Sequence, residues 1–271
     1  MRFASLSVFI LLHAVQCLAV EIIGHRGASF DAPENTLSSF RLGYEQGADG
    51  DELDIHLTKD GQVVVMHDYD TARVGGSTSK IKDSTLAELQ KFEIGRWGKW
   101  TNANFHEKIP LLSDVLKLIP GRKKLFIEIK TGPEIIPALG EILDHAKQKP
   151  DQLVIITFNY DSAIAAKKRF PQLKTYWLVG YAEDKATGNF PVLEETIAKA
   201  KTAHVDGLDL NFNWPLNKQT IAQIKRAGLE CHVWTVDDAA KAKELADAGV
   251  DSITTNRPGW LRDCLRAEVV H

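Results

Sequence analysis

Eight short runs rich in β-branched and apolar residues alternate with longer amphipathic stretches, and this alternation limits the fold more than any other feature. The runs are 21–24, 52–57, 124–129, 153–158, 175–179, 207–211, 230–236 and 251–255. Helix-like stretches follow at 34–46, 111–119, 134–148, 160–170, 192–202, 218–227, 237–248 and 259–265. Start and stop signals agree: Asp237 and Asp238 precede one stretch and Gly249 ends it, as caps should. Strands separated by helices pair in parallel, since the chain must cross back over the sheet before each new strand. Eight such units in about 250 residues predict an α/β fold, a (β/α)8 TIM barrel. A doubly wound open sheet is the rival arrangement.

Two segments fall outside this rhythm. Residues 70–110 lie between the second run and its helix and contain Gly75-Gly76, Arg96-Trp97-Gly98 and Trp100. They are too many for a simple βα loop, so a small inserted subdomain at the C-terminal mouth is expected, with a short extra strand at 62–66 leading into it. At the other end of the chain, Arg2 is the only charged residue in 1–19, an apolar run covers 6–12, and Cys17 and Ala19 precede the first strand. This reads as a signal peptide cut after Ala19, leaving a single domain over 20–271 and an exported protein. The stretch is too short, and too interrupted by His13 and Gln16, to make a stable membrane span.

The 33 Lys and Arg against 36 Asp and Glu give a formal charge of −3. With no basic tail or stripe, no nucleic-acid partner is expected. Cys231 and Cys264, which remain after the cut, are expected as separate thiols. Nothing in the sequence fixes the oligomeric state.

In a (β/α)8 barrel, chemistry gathers at the C-terminal ends of the strands. His25-Arg26-Gly27 closes the first run. Glu52 and Asp54, two apart, point to one face of the second, which is the barrel interior. His67-Asp68 follows the short extra strand, and Glu128 and Lys130 end the third run. Trp234 and Asn256 come at the ends of the seventh and eighth. Three carboxylates converging on one mouth repel unless one protonates or a cation intervenes. All-oxygen ligands suit one divalent metal ion, Mg²⁺ or Ca²⁺. Glu52, Asp54 and Glu128 are therefore candidate metal ligands, with ion pairing to Arg26 and Lys130 as the purely structural alternative. His25 and His67 titrate near neutral pH and are candidates for general acid and base. Arg26 and Lys130, with the metal, would hold a phosphate diester and stabilise charge growing on it.

The segments His25-Arg26-Gly27-Ala28, Pro33-Glu34-Asn35-Thr36, Glu52-Leu53-Asp54-Ile55-His56-Leu57-Thr58-Lys59-Asp60-Gly61 and His67-Asp68 resemble the N-terminal signature of glycerophosphodiester phosphodiesterases. Phe126-Ile127-Glu128-Ile129-Lys130 is similar to that family's third-strand motif, and Val233-Trp234-Thr235-Val236-Asp237 to its seventh-strand motif. The resemblance extends from Ile22 to Pro258. It implies a TIM barrel with an insertion after strand two, His25 and His67 as acid and base, and Glu52, Asp54 and Glu128 on a metal. It also implies Arg26 and Lys130 on phosphate. Trp234 forms an apolar wall for glycerol or packs the barrel top. Glu34 and Asn35 either cap the first helix or enter the site. His56 is not expected to bind metal, and His106, His145, His204 and His232 are expected at the surface or in packing. The family commonly has an Asp in the strand-eight motif where this chain reads Thr254-Thr255-Asn256-Arg257-Pro258. The expected consequence lies in the distal pocket, away from the reaction centre.

The resulting expectation is metal-dependent hydrolysis of a small glycerophosphodiester to glycerol phosphate and an alcohol. One alternative is a phospholipase acting on lysophospholipids or inositol lipids, for which the insertion would need an exposed apolar rim. Another is a non-catalytic barrel that binds metal or phosphoesters.

Overall fold

The computed structural model describes residues 20–267, so the candidate signal segment lies outside the described residues. The strands are β1 (Glu21–Gly24), β2 (Gly50–Leu57), β3 (Val63–Val65), β4 (Lys124–Ile129), β5 (Leu153–Thr157), β6 (Lys174–Val179), β7 (Gly207–Asn211), β8 (Glu230–Trp234) and β9 (Ser252–Thr255). All except β3 pair in parallel, and β1 bonds to both β2 and β9, so the sheet closes on itself. Closure excludes the open doubly wound sheet and makes the fold a TIM barrel. The extra strand β3 lies antiparallel on β2, with Ile55 opposite Val65.

The helices are α1 (Leu37–Glu45), α2 (Ala72–Gly75), α3 (Leu86–Leu89), α4 (Leu112–Leu116), α5 (Ile136–Asp144), α6 (Tyr160–Arg169), α7 (Leu193–Thr202), α8 (Lys218–Arg226), α9 (Ala239–Ala248) and α10 (Pro258–Ala267). Two keep little more than half of their amphipathic pattern: 111–119 yields only α4, and 134–148 only α5 behind a 3₁₀ turn at Pro133–Ile135. The α1 cap is Thr36, whose side chain accepts from the Ser39 amide. Glu34 and Asn35 are thus released from capping.

The strand period of two divides the side chains cleanly. Leu53, Ile55, Leu125, Ile127, Leu153 and Ile155 point outward into the layer beneath the helices. Ile23, Phe126, Val154, Ile156, Tyr176 and Leu178 point inward and fill the barrel. Phe126 is 1% exposed. Truncating it to Ala would open a void that the closed sheet cannot collapse into, so denaturant unfolding should show a loss of about 3–5 kcal/mol. The segment between β3 and α4 builds a small core of its own, in which Val74, Ile81, Leu89, Ile94 and Ile109 pack on Val64 and Met66. Cys231 and Cys264 are both free thiols.

Charged residues close the end of the barrel opposite the site. Glu230 pairs with Lys174 at 2.7 Å and with His232 at 3.4 Å, and accepts from the Tyr176 hydroxyl. Burial works to raise the Glu230 carboxyl, but the hydrogen bonds from His232, Lys174 and Tyr176 outweigh it, so its pKa falls below the carboxylate range. A depressed carboxyl contributes stability above its unfolded pKa and loses it as pH falls through the folded value. Glu230→Gln should therefore lower the Tm at neutral pH, and the gap to wild type should narrow on acidification below about pH 4.3.

Candidate active site at the barrel mouth

The first βα turn shapes the mouth. Gly27 has φ +79°, and a Cβ there would lie 2.5 Å from the Ser39 carbonyl carbon; only glycine permits this approach. Arg26, with φ 56°, turns its amide toward Glu52 Oε2 at 3.0 Å. Its guanidinium reaches Glu34 at 2.8 Å and Asp54 at 3.4 Å. Asn35, 1% exposed, brackets Asp54: its Nδ2 donates to Asp54 Oδ2 at 2.8 Å, and its Oδ1 accepts from the Asp54 amide. The first-loop motif therefore belongs to the site.

β2 and β4 deliver the carboxylates. Glu52, Asp54 and Glu128 are all buried, and each offers an oxygen within 4.8 Å of the others. Lys130 Nζ lies 2.8 Å from Glu128 and 3.3 Å from Asp54. Glu52 Oε1 has no hydrogen-bond partner, and a buried carboxylate oxygen without a donor is costly. For Asp54, burial works upward, but Arg26 and Lys130 outweigh it and hold the carboxyl at about 2. Burial, then Asp54, drives Glu52 well above the carboxylate range and Glu128 to about 8. One lysine and one arginine do not neutralise three carboxylates. A divalent cation fits this donor set, being hard, oxygen-seeking and drawn to the oxygen left unpaired. The ion pairs with Arg26 and Lys130 are present too, but they leave Glu52 Oε1 unanswered.

The two histidines flank this cluster in different settings. His25 Nδ1 lies 2.8 Å from Asn256 Oδ1. The Asn256 amide is itself oriented, because its Nδ2 donates to Asp237. Nδ1 must then carry the proton, leaving a lone pair on Nε2. Burial, and then the Arg26 charge, lowers His25 to about 4, so the ring is neutral at pH 7. His67 donates from Nδ1 to Asp68 Oδ1 at 2.7 Å. Asp68 is held by Arg73 at 2.7 Å, and Arg73 in turn bridges to Glu34. One ionic chain thus runs from Arg26 through Glu34, Arg73 and Asp68 to His67, and ties the inserted segment to the mouth.

A cavity of about 260 Å³ joins these groups. Its polar wall holds His25, Arg26, Glu52, His67, Glu128 and Lys130. Its apolar wall is Ile156, Phe158, Leu178 and Trp234. The Trp234 ring stands edge-on to Phe158 at 5.3 Å, with Nε1 bonded to the Asp209 carbonyl. The sequence-derived candidates His25, His67, Arg26, Lys130, Trp234, Glu52 and Glu128 all line this space, with Asp54 buried against Arg26 and Lys130. His56 stays out of the carboxylate group: its Nε2 meets the His67 carbonyl, and its ring meets Tyr69 edge-on. His232 is buried in packing, stacked on Tyr176.

Sequence reasoning missed Arg73 and Asp209, and it named Asp68, Asp237 and Asn256 without the contacts they make here. The strand-eight departure was expected to affect only the distal pocket. Instead it places Asn256 directly on His25, because β9 is bonded to β1 when the barrel closes. Ring closure was the available signal, since it makes the end of the last strand a neighbour of the end of the first.

Residues 25–260 match the model of the Glycerophosphoryl diester phosphodiesterase family. The glycerophosphodiester phosphodiesterase of Caldanaerobacter subterraneus subsp. tengcongensis is 34% identical over 251 residues, covering 90% of this chain and 97% of its own. That of Bacillus subtilis is 32% identical over 254 residues, covering 87% and 83%. Among solved structures, an Oleispira antarctica phosphodiesterase in complex with the product sn-glycerol-3-phosphate superposes with a TM-score of 0.79 at 28% identity, covering 92% of this chain and 97% of that one. With the family match spanning nearly the whole barrel, this chain belongs to the glycerophosphoryl diester phosphodiesterase family and is a phosphoric diester hydrolase.

Proposed function

We propose that the protein is an exported, divalent-metal-dependent enzyme that hydrolyses small glycerophosphodiesters to glycerol phosphate and an alcohol, using His25 and His67 as base and acid. The observation that carries this reading is the buried trio Glu52, Asp54 and Glu128, with a stranded oxygen, in a cavity shared with two differently prepared histidines. Glu52, Asp54 and Glu128 would hold Mg²⁺ or Ca²⁺. When bound, the cation supplies positive charge beside the phosphate oxygens. Arg26 and Lys130 orient the phosphate from the same wall. Neutral His25, with Nε2 unprotonated, takes the proton of the attacking hydroxyl, which is water or the glycerol hydroxyl next to the phosphate. The P–O bond to the alcohol breaks, and His67, steadied by Asp68, returns a proton to the departing alkoxide; where the glycerol hydroxyl attacks, a cyclic phosphate forms first and water then opens it to glycerol phosphate. Each transfer contributes about 10²–10⁴-fold when the partner is well placed.

The lysolipid alternative called for an exposed apolar rim on the insertion. The large exposed hydrophobics are instead Phe30, Tyr69, Phe158, Ile164, Phe190, Val192 and Phe212, none of them within 70–110. No helix among the described residues is long and apolar enough to cross a membrane. The polar rim of the insertion supports a small soluble diester. Assaying the metal-loaded enzyme on glycerophosphocholine and on micellar lysophosphatidylcholine tests this. Release of glycerol phosphate and choline from the first at much higher kcat/KM is the expected result, and a preference for the micelle would overturn it.

A further inference from the structure

One carboxyl in the cavity has no part in the chemistry above. Asp209 sits in the middle of β7, where Gly207, Asp209 and Asn211 face the barrel interior while Leu208 and Leu210 pack outward beneath the helices. It is 1% exposed, and its Oδ1 has no hydrogen-bond partner. Its neighbours in register are Leu178 on β6 and His232 on β8. His232 Nδ1 bonds to Ser252 Oγ, and its Nε2 lies 3.4 Å from Glu230. No Lys or Arg among the described residues forms an ion pair with Asp209. Yet Asp209 lines the cavity, together with the apolar residues Leu178 and Trp234 and with Thr235 and Thr254.

An unanswered carboxyl is a poor choice for packing, since leucine or asparagine would cost less there. It is a good choice if a ligand completes its hydrogen bonds. A phosphodiester anchored at Arg26 and Lys130 must extend one of its two alcohols into this enclosed space. The apolar wall offers that alcohol contact area but no polar partner; of the remaining lining residues Asp209, Thr235 and Thr254 are polar, and Asp209 alone carries a carboxyl.

We propose that Asp209 accepts a hydroxyl of the buried alcohol and thereby selects a free, unesterified glycerol for the inner end of the cavity. This rests on the proposed function for its substrate, and goes beyond it by naming the residue that chooses which alcohol enters. Two consequences follow. A trimethylammonium or nitrophenyl group, having no hydroxyl to donate, is steered to the open side. A diacylated glycerol is refused, because its hydroxyls are blocked.

The test compares wild type, Asp209→Asn and Asp209→Leu in two readouts. The first is discrimination, the kcat/KM for glycerophosphocholine divided by that for bis(4-nitrophenyl) phosphate, which carries no hydroxyl. Asp209→Leu should lower this ratio by about 10- to 100-fold, the cost of an unmet hydrogen bond, and Asp209→Asn should restore most of it. The second is calorimetric affinity for sn-glycerol 3-phosphate against methyl phosphate. Asp209→Leu should weaken the first by a similar factor and the second far less. An unchanged ratio, or equal loss on both members of each pair, would overturn the assignment. If wild type turned over neither diester, the proposed function would fail, and the affinity pair would still decide the role of Asp209.

Discussion

His67→Ala should lower kcat on glycerophosphocholine by about 10²–10⁴-fold while cation affinity stays close to wild type. The split follows from the geometry. His67 bonds to Asp68, not to Glu52, Asp54 or Glu128, so removing it leaves the carboxylate trio intact. Its proposed role is to give a proton to the departing alkoxide, and a leaving group that needs no proton should escape the penalty. The defect of His67→Ala should accordingly shrink with 4-nitrophenol as leaving group and stay large with choline. His25→Ala should show no such rescue, because His25 is proposed to act on the attacking group. Equal defects of His67→Ala on both leaving groups would remove His67 from the acid role. Asp68→Asn should give a milder version of the same pattern, since Asp68 orients His67 without touching substrate.

Glu52→Gln should separate metal binding from folding. In the metal-free protein the trio is a source of instability: burial and mutual repulsion raise Glu52, and Glu128 reaches about 8. A carboxyl raised in the folded state binds protons more tightly there than when unfolded, so stability falls as pH rises from the ordinary carboxylate value toward about 8. Metal-free wild type should lose Tm across that window, and metal-free Glu52→Gln should lose less. A cation at a hundred times its Kd stabilises by about 2.7 kcal/mol, or about 5–10 °C of Tm for a domain of this size. Wild type should show that gain and Glu52→Gln little of it, together with severe loss of turnover. A Gln variant that is less stable without metal, yet gains the full increment with it, would mean the three carboxylates serve only Arg26 and Lys130.

The fold was largely legible because it depends on local pattern. Strand runs with period two and helices capped by residues such as Asp238 and Asn217 leave traces within ten residues of chain. The ends of α4 and α5 were not legible, since amphipathic pattern continues beyond the last helical turn. At the site, the strand-end residues could be placed by counting strands. The residues that orient them could not, because those contacts join distant positions: His25 to Asn256 across 231 residues, Arg73 to Glu34 across 39. Asp209 lay in an unremarkable GLDLN strand, and only its enclosure by the cavity gives it meaning. Asn35, at the end of a turn before a helix, looked equally suited to capping until Thr36 took that place.

The central claim is that a cation held by Glu52, Asp54 and Glu128 is required for glycerophosphodiester hydrolysis. Choline release from glycerophosphocholine, followed before chelation, after it, and after adding back Mg²⁺ or Ca²⁺, tests this most directly. Activity should vanish on chelation and return with one of the two ions at a stoichiometry near one per chain. Undiminished turnover in the presence of chelator would contradict it.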